Sequence, residues 1–204
     1  NEKYNYGYSL NEELVRQGED SHCKILQKVS PNSAVLECGP AYGIMTKYLK
    51  ENLCCEVQII EYDKDSFEQA MQFADGGICV DIEEDSWLGN FEDSSFDYII
   101  YADILEHLRN PQTVLEKMRR FLKPNGSVLL SVPNVAHGDI ILNLLGDRFN
   151  YTPLGLLDNT HIHLFARENV WVMVKDAGYY VAEEACIRSS LFATEQGKFL
   201  SLEF

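Results

Sequence analysis

Basic residues are scarce in this chain. Its 204 residues hold 17 Lys and Arg against 32 Asp and Glu, a net charge of −15. A nucleic-acid surface needs clustered cations to displace phosphate counterions, so no nucleic-acid partner is expected. The one short basic group, Lys117, Arg119, Arg120 and Lys123, falls on an expected helix beside Glu116 and reads as a solvated face. Long apolar runs are also missing: none reaches about 18 residues, so no spanning helix is expected. The segment Asn1 to Leu10 is polar and tyrosine-rich rather than basic then apolar, which is not a signal-peptide pattern. No C-x-x-C spacing occurs among the six cysteines. Cys38 and Cys79, beside apolar runs, and the adjacent Cys54 and Cys55 read as buried free thiols in a reducing, cytoplasmic setting. Disulfides and a zinc site fit that spacing less well.

What is present is an ordinary globular composition, 46% apolar and 24% charged, in a length suited to one domain, or to one domain with an appendage. Residues 11–30 carry apolar positions at helical spacing (Leu14, Val15, Ile25, Leu26, Val29), and the turn signal Pro31-Asn32 follows. This 1–30 segment reads as an N-terminal helical element or lid, with 31–204 as the main domain. Beyond residue 31 strands and helices alternate. Strands are expected at Ala34–Cys38, Glu56–Ile60, Gly77–Val80, Phe96–Tyr101, Ser127–Val132 and Tyr179–Cys186. A weaker strand signal covers Phe199–Phe204. Helices are expected at Met45–Glu51, Ser66–Phe73, Pro111–Leu122 and Arg167–Asp176. Such alternation predicts an α/β fold, a mostly parallel twisted sheet with helices on both faces. Residues 134–166, rich in Asn, His and Tyr and without a clear period, read as an insertion on the substrate side.

The chemistry-bearing residues cluster at expected strand ends. The apolar run Ala34–Cys38 breaks into the small-residue loop Gly39-Pro40-Ala41-Tyr42-Gly43 and then a helix. Glycines there let backbone approach a ligand, and the helix start offers N–H groups to an anion. Glu37, Glu61 and Asp81 fall at the ends of three successive strands. Such carboxylates suit a ligand with several polar groups laid across the sheet. Glu61 can accept two ribose hydroxyls and Asp81 an adenine amino group, with Tyr62 and Ile82 placed to sandwich the ring.

The set Glu37-Cys38-Gly39-Pro40-Ala41-Tyr42-Gly43, Glu61, Asp81-Ile82, Phe96-Asp97-Tyr98-Ile99 and Leu122-Lys123-Pro124-Asn125-Gly126 resembles class I S-adenosylmethionine-dependent methyltransferases in order and spacing. The stretches Leu105-Glu106-His107-Leu108, Ser131-Val132-Pro133-Asn134, Arg148–Tyr151 and Leu156–His161 are similar to the branch found near polysaccharide and cell-envelope glycosylation enzymes. The resemblance covers roughly residues 30–185 and implies a Rossmann-like class I methyltransferase fold. It implies S-adenosylmethionine as cofactor, with S-adenosylhomocysteine as product. It also implies roles: Glu37, Gly39 and Gly43 at the methionine end, Glu61 at the ribose, Asp81 and Ile82 at the adenine, and Ala102 and Asp103 lining the sulfonium region. Ala41 departs from the pattern by replacing a glycine. Its methyl group is harmless at negative φ and costs about 1 kcal/mol at positive φ.

A methyl acceptor that is a hydroxyl must lose a proton, and histidine is the usual means. Asp103, Glu106 and His107 have i, i+3, i+4 spacing, which one helical turn would bring to one face. That patch resembles the D/E-x-x-E-H patch of quinone-pathway O-methyltransferases, some of which use a metal. It could serve as a carboxylate–imidazole pair, with Glu106 and His107 as the catalytic candidates, or ligate a hard divalent ion. No metal site is assigned. His107 packed beneath the cofactor, with a solvated Glu106, is the bland alternative. In an extended stretch His161 and His163 would point to one side. They join Asn134, His137 and Tyr151 as substrate-binding candidates, against the plainer reading of a polar loop positioned by Asp158. Tyr4, Tyr6 and Tyr8 are further candidates to close over a ligand.

The expected function is thus methyl transfer to a small-molecule or saccharide acceptor. One alternative is a catalytically inactive module of the same fold. A remote one is an NAD(P)-dependent oxidoreductase, which would need the G-x-G-x-x-G spacing that Gly39 to Gly43 lacks. Nothing in the sequence bears on the oligomeric state.

Overall fold

The computed structural model describes residues 10–188, 190–191 and 193–196. The Tyr4, Tyr6 and Tyr8 positions and the Phe199–Phe204 strand expectation lie outside the described residues. The chain divides into two compact units. One holds the residues up to Ile104 together with Thr113–Ser131, and the other Leu105–Gln112 together with the residues from Val132 on.

The first unit is built on a five-stranded, all-parallel sheet: β1 (Ala34–Cys38), β2 (Glu56–Glu61), β3 (Gly76–Cys79), β4 (Phe96–Ala102) and β5 (Leu122–Ser131), in the order β3-β2-β1-β4-β5. The chain steps outward from β1 through β2 to β3. It then returns to lay β4 on the other side of β1, so the strand order reverses between β1 and β4. In β1, four of five residues are buried, as parallel strands covered on both faces require.

One face carries α1 (Glu12–Gln17), α2 (Ser21–Leu26), α3 (Ile44–Glu51) and α4 (Lys64–Ala70). Val15, Ile25 and Leu26 from the N-terminal helices join Val35, Val57, Ile59, Met45 and Leu49 in a single apolar cluster. The 11–30 segment is therefore part of this unit's core. Strand alternation turns Leu36 and Ile60 to the other face, where both are buried. A second apolar group holds Trp87, Phe91, Phe96 and Phe121, ring against ring at 5.7–6.2 Å between centroids. The helix α5 (Pro111–Met118) precedes a 3-10 turn at Arg119–Phe121, and its Val114, Leu115 and Met118 are fully buried.

Three of the four residues of the basic group pair with carboxylates: Lys117 with Asp85, Arg120 with Asp93 and Lys123 with Asp97. All six cysteines are free, but only Cys23, Cys38 and Cys55 are buried. Cys54, Cys79 and Cys186 are exposed, which corrects the expectation of buried thiols throughout. Cys79 closes β3, where burial is weakest, and so faces solvent.

The second unit contains a 3-10 turn at Leu105–His107, α6 (Gly138–Leu145) and α7 (Arg167–Asp176). The helix α6 was not legible as a period because its pattern is inverted. Asp139, Ile140 and Asn143 face inward, while Ile141, Leu144 and Leu145 are exposed. The inward Asn143 Nδ2 donates to the Asp139 and Gln196 carbonyls, both at 2.8 Å. The strand expected at Tyr179–Cys186 does not form. Tyr180 stands 85% exposed, and the run Ala182-Glu183-Glu184-Ala185 has no β-branched residue to favour a ladder. Glu184 is instead tied back to α7, accepting from Arg167 Nε at 2.6 Å and Trp171 Nε1 at 3.0 Å.

Candidate functional site

The strand order reverses between β1 and β4, and open parallel sheets hold ligands at the carboxyl ends of the strands beside such a reversal; β2 flanks β1 on its other side. Glu37 is the fourth residue of β1, and its side chain is buried. Its Oε2 accepts a 2.7 Å hydrogen bond from Thr46 Oγ1 of α3. Burial pushes the Glu37 carboxyl up to about 7. The Thr46 hydrogen bond opposes that shift and the nearby Glu61 charge adds to it.

Glu61 closes β2, and its carboxylate organises the loops around it. Oε1 accepts from the Tyr62 and Asp63 N–H groups at 2.8 and 2.9 Å, and Oε2 from the Ala41 N–H at 3.0 Å. One acidic side chain thus joins the β2 exit to the glycine loop. Burial raises its pKa, and the three backbone donors hold the rise back. Asp81, two residues past β3, makes an Asx turn by accepting from Glu83 N at 2.9 Å. Ile82 beside it is buried, and its carbonyl accepts from Trp87 Nε1 at 3.2 Å. Tyr62 is 75% exposed.

The two loop glycines are required by the protein's own packing. Gly39 has φ 68, and a Cβ there would lie 2.1 Å from Ile104 Cδ1. Gly43, the N-cap of α3, has φ 76, and a Cβ would come within 2.8 Å of the Ala70 backbone in α4. No side chain caps α3, so its first-turn N–H groups are turned to the loop without a built-in acceptor. Ala41 adopts φ 48, the conformation at which its methyl group is costly.

At the end of β4, Ala102 is half-buried and Asp103 has φ 55. The Asp103 carboxylate accepts from Ser131 Oγ at 2.8 Å and Ser21 Oγ at 3.2 Å. The expected single helical turn through Asp103, Glu106 and His107 is not formed. The left-handed backbone at Asp103 breaks it, and only Leu105–His107 coils, as a 3-10 turn.

Within the second unit, Glu106 is 1% exposed. His161 Nε2 lies 3.9 Å from Glu106 Oε1, and the His107 and His161 rings meet edge to face with centroids 4.9 Å apart. Glu106 is thus buried beside imidazoles, not solvated. His161 and His163 both reach the Leu105–Gln112 segment, since His163 Nε2 contacts the Arg109 carbonyl at 3.2 Å. Asn134 and His137 serve their own backbone. Asn134 Oδ1 accepts from Ala136 N at 2.9 Å, and His137 Nδ1 caps α6 by accepting from Asp139 N at 3.2 Å. Tyr151 is exposed, edge-on to Phe149. Thr46 was not singled out from sequence. Its place as the third residue of the helix behind the glycine loop is the one signal that could have pointed to it.

A cavity of about 330 Å³ opens beside Ala34, Glu56 and Phe96 at the amino ends of the strands, the edge opposite these carboxylates. It holds none of the site residues.

The methyltransferase-domain family profile matches residues 14–184. Among characterised proteins, the glycine/sarcosine/dimethylglycine N-methyltransferase of Actinopolyspora halophila is 28% identical over 62% of this chain and 24% of its own length. The mitochondrial ubiquinone biosynthesis O-methyltransferase of Dictyostelium discoideum is 24% identical over 59% of this chain and 42% of its own. The matched part of this chain therefore spans less than half the length of either relative, 24% of one and 42% of the other. A solved S-adenosylmethionine-dependent methyltransferase from Archaeoglobus fulgidus superposes with a TM-score of 0.60 at 17% identity, covering 82% of this chain and 69% of that one. The chain belongs to the methyltransferase-domain family and has the Rossmann-like fold of its S-adenosylmethionine-dependent members.

Proposed function

We propose that this chain transfers the methyl group of S-adenosylmethionine to an oxygen of a small-molecule or saccharide acceptor and releases S-adenosylhomocysteine. The carrying observation is the array of Glu37, Glu61 and Asp81 at successive strand ends around a glycine loop and an uncapped helix start. S-adenosylmethionine supplies an already activated methyl group, and everything else falls to the chain. Glu37 lies where a cationic ammonium would replace the water its carboxyl has lost. The first-turn N–H groups of α3, behind Gly39 and Gly43, suit a carboxylate. Glu61 still has acceptor capacity for one ribose hydroxyl, since three backbone N–H groups take three of its four lone-pair sites and leave one on Oε2. Asp81 with Ile82 and Tyr62 forms the adenine end, and Ala102 and Asp103 line the sulfonium region. His107, with Glu106, takes the acceptor's proton. Tyr151 and His161 are the acceptor-side groups, while Asn134, His137 and His163 shape the 134–166 insertion.

The finer placement, in the branch found near polysaccharide and cell-envelope glycosylation enzymes, draws on the Leu105–Leu108 and Ser131–Asn134 motifs. N-methylation is kept as the second chemistry by the likeness to the Actinopolyspora enzyme. A non-catalytic binding module is a further reading, favoured by one observation, the strained Ala41. Calorimetric titration with S-adenosylhomocysteine, with NAD in parallel, tests the proposal. Micromolar binding of the first and none of the second supports it, and a methyl-transfer screen on sugars and phenols then separates enzyme from module. Absence of S-adenosylhomocysteine binding by ligand-free protein defeats the methyltransferase proposal and favours the non-catalytic module, with Ala41→Gly as the next test.

A further inference from the structure

We infer that Glu106, His107 and His161 form a binding site for one divalent transition-metal ion, with zinc as the representative occupant. The inference goes beyond the methyltransferase reading and is tested apart from it, because all three residues and their supports lie in the second unit. With an ion bound, the His107 Nε2 lone pair is a ligand, so His107 takes an acceptor's proton only in the ion-free site.

One ligand atom from each residue lies within 4.8 Å of the other two. The separation of 3.9 Å between His161 Nε2 and Glu106 Oε1 is too long for a hydrogen bond. It is within about half an ångström of the ~3.4 Å edge between two ligands of tetrahedral zinc. The edge-to-face rings, inclined at 72°, keep the two imidazoles from stacking flat on each other. Glu106 and the His161 side chain are 1% and 7% exposed, so solvent does not screen the carboxylate from an ion.

The supports match what such ligands need. His107 Nδ1 faces the Thr160 carbonyl at 3.2 Å. A carbonyl can only accept, so Nδ1 carries the proton and Nε2 keeps the lone pair. The Thr160 hydroxyl, 3.3 Å from the same nitrogen, donates to Asp158 Oδ1 at 2.7 Å. This links a carboxylate, a hydroxyl and an imidazole in one orienting chain. The Ile162 and His163 N–H groups both donate to the Glu106 carbonyl, at 2.9 and 3.1 Å. The segment bearing His161 is thereby fastened to the turn bearing Glu106 and His107, so the three ligands share one frame. Asp103 has no part in the set, its carboxylate being bonded to Ser131 and Ser21.

The donor chemistry selects the ion. Two imidazole nitrogens and one carboxylate suit zinc and its first-row neighbours, whereas magnesium and calcium take oxygen cages. Three protein ligands leave one tetrahedral position for an oxygen from outside, water or a hydroxyl, whose pKa the ion lowers.

The test uses the full chain, stripped of metal by chelator and titrated with zinc by calorimetry, then with cobalt to follow the visible bands of a tetrahedral site. The expected result is one equivalent bound at micromolar affinity or tighter, weakened at least tenfold in both His161→Ala and Glu106→Gln. Circular dichroism confirms that each variant is folded, and if one is not, the other decides. Two results overturn the inference: no zinc binding by the unaltered chain, or binding that survives intact in a folded variant, which would place the ion elsewhere, for example on the exposed Cys54, Cys79 or Cys186. Neither result depends on whether S-adenosylhomocysteine binds.

Discussion

Thr46 and Glu37 are joined by a hydrogen bond of 2.7 Å in the buried layer between α3 and β1. It is the one side-chain hydrogen bond found for Glu37 among the described residues, and it leaves burial as the stronger influence on that carboxyl.

The first prediction concerns pH. The folded Glu37 pKa, about 7, exceeds the ordinary value of 4.5. Below pH 4.5 the carboxyl is protonated in both folded and unfolded chains, and its contribution to stability is fully present. As pH rises from 4.5 to 7 the unfolded chain ionises first, so that contribution is lost, by about 3 kcal/mol at most. Urea denaturation at pH 5 and pH 8 checks this. Glu37→Gln should lose less stability across that interval than the unaltered chain.

Ala41→Gly should stabilise the fold by about 1 kcal/mol, because the residue already sits at φ 48, where only glycine is free of strain. In a chain of this length that corresponds to a Tm increase of roughly 2–4 °C, readable by calorimetry. An unchanged or lower Tm would mean that the methyl group makes a contact worth as much as the strain.

Gly43→Ala should have the opposite sign and a larger size. The added Cβ meets both a φ of 76 and the Ala70 backbone at 2.8 Å. A loss of more than about 2 kcal/mol is expected from chemical denaturation.

Tyr62→Ala separates ligand binding from folding. The ring is 75% exposed, so stability should hold within about 0.5 kcal/mol. Loss of an aromatic face beside the adenine end should weaken S-adenosylhomocysteine binding roughly 3- to 10-fold by calorimetry. Unchanged affinity would remove Tyr62 from the site.

Much of the sheet unit was readable because its signals are local. Apolar runs such as Ala34–Cys38 and Phe96–Tyr101, each followed by a turn or loop signal, predict buried parallel strands, and five of the six strands expected within the described residues form. The strand-end carboxylates follow once the strands are placed. Three features were not readable, each for a physical reason. The helix α6 turns Asn143 inward and Leu145 outward, so its apolar period points the wrong way. The Tyr179–Cys186 run opens with the strand-like Tyr179-Tyr180-Val181, but the Ala182–Ala185 stretch after it does not favour a ladder, and Glu184 gains an Arg167 and a Trp171 partner on α7 instead. The meeting of His161 with Glu106 and His107 joins residues more than 50 positions apart, and no local spacing encodes such a pairing.

Glu61 is scaffold as much as ligand contact, since its two oxygens already hold three main-chain N–H groups from two loops. An engineer who wished to exchange the nucleotide this fold accepts would turn first to that position, as in dinucleotide enzymes. Here the swap would release the glycine loop along with the sugar. Altered cofactor preference would therefore have to come from residues around Glu61, with the carboxylate itself left in place.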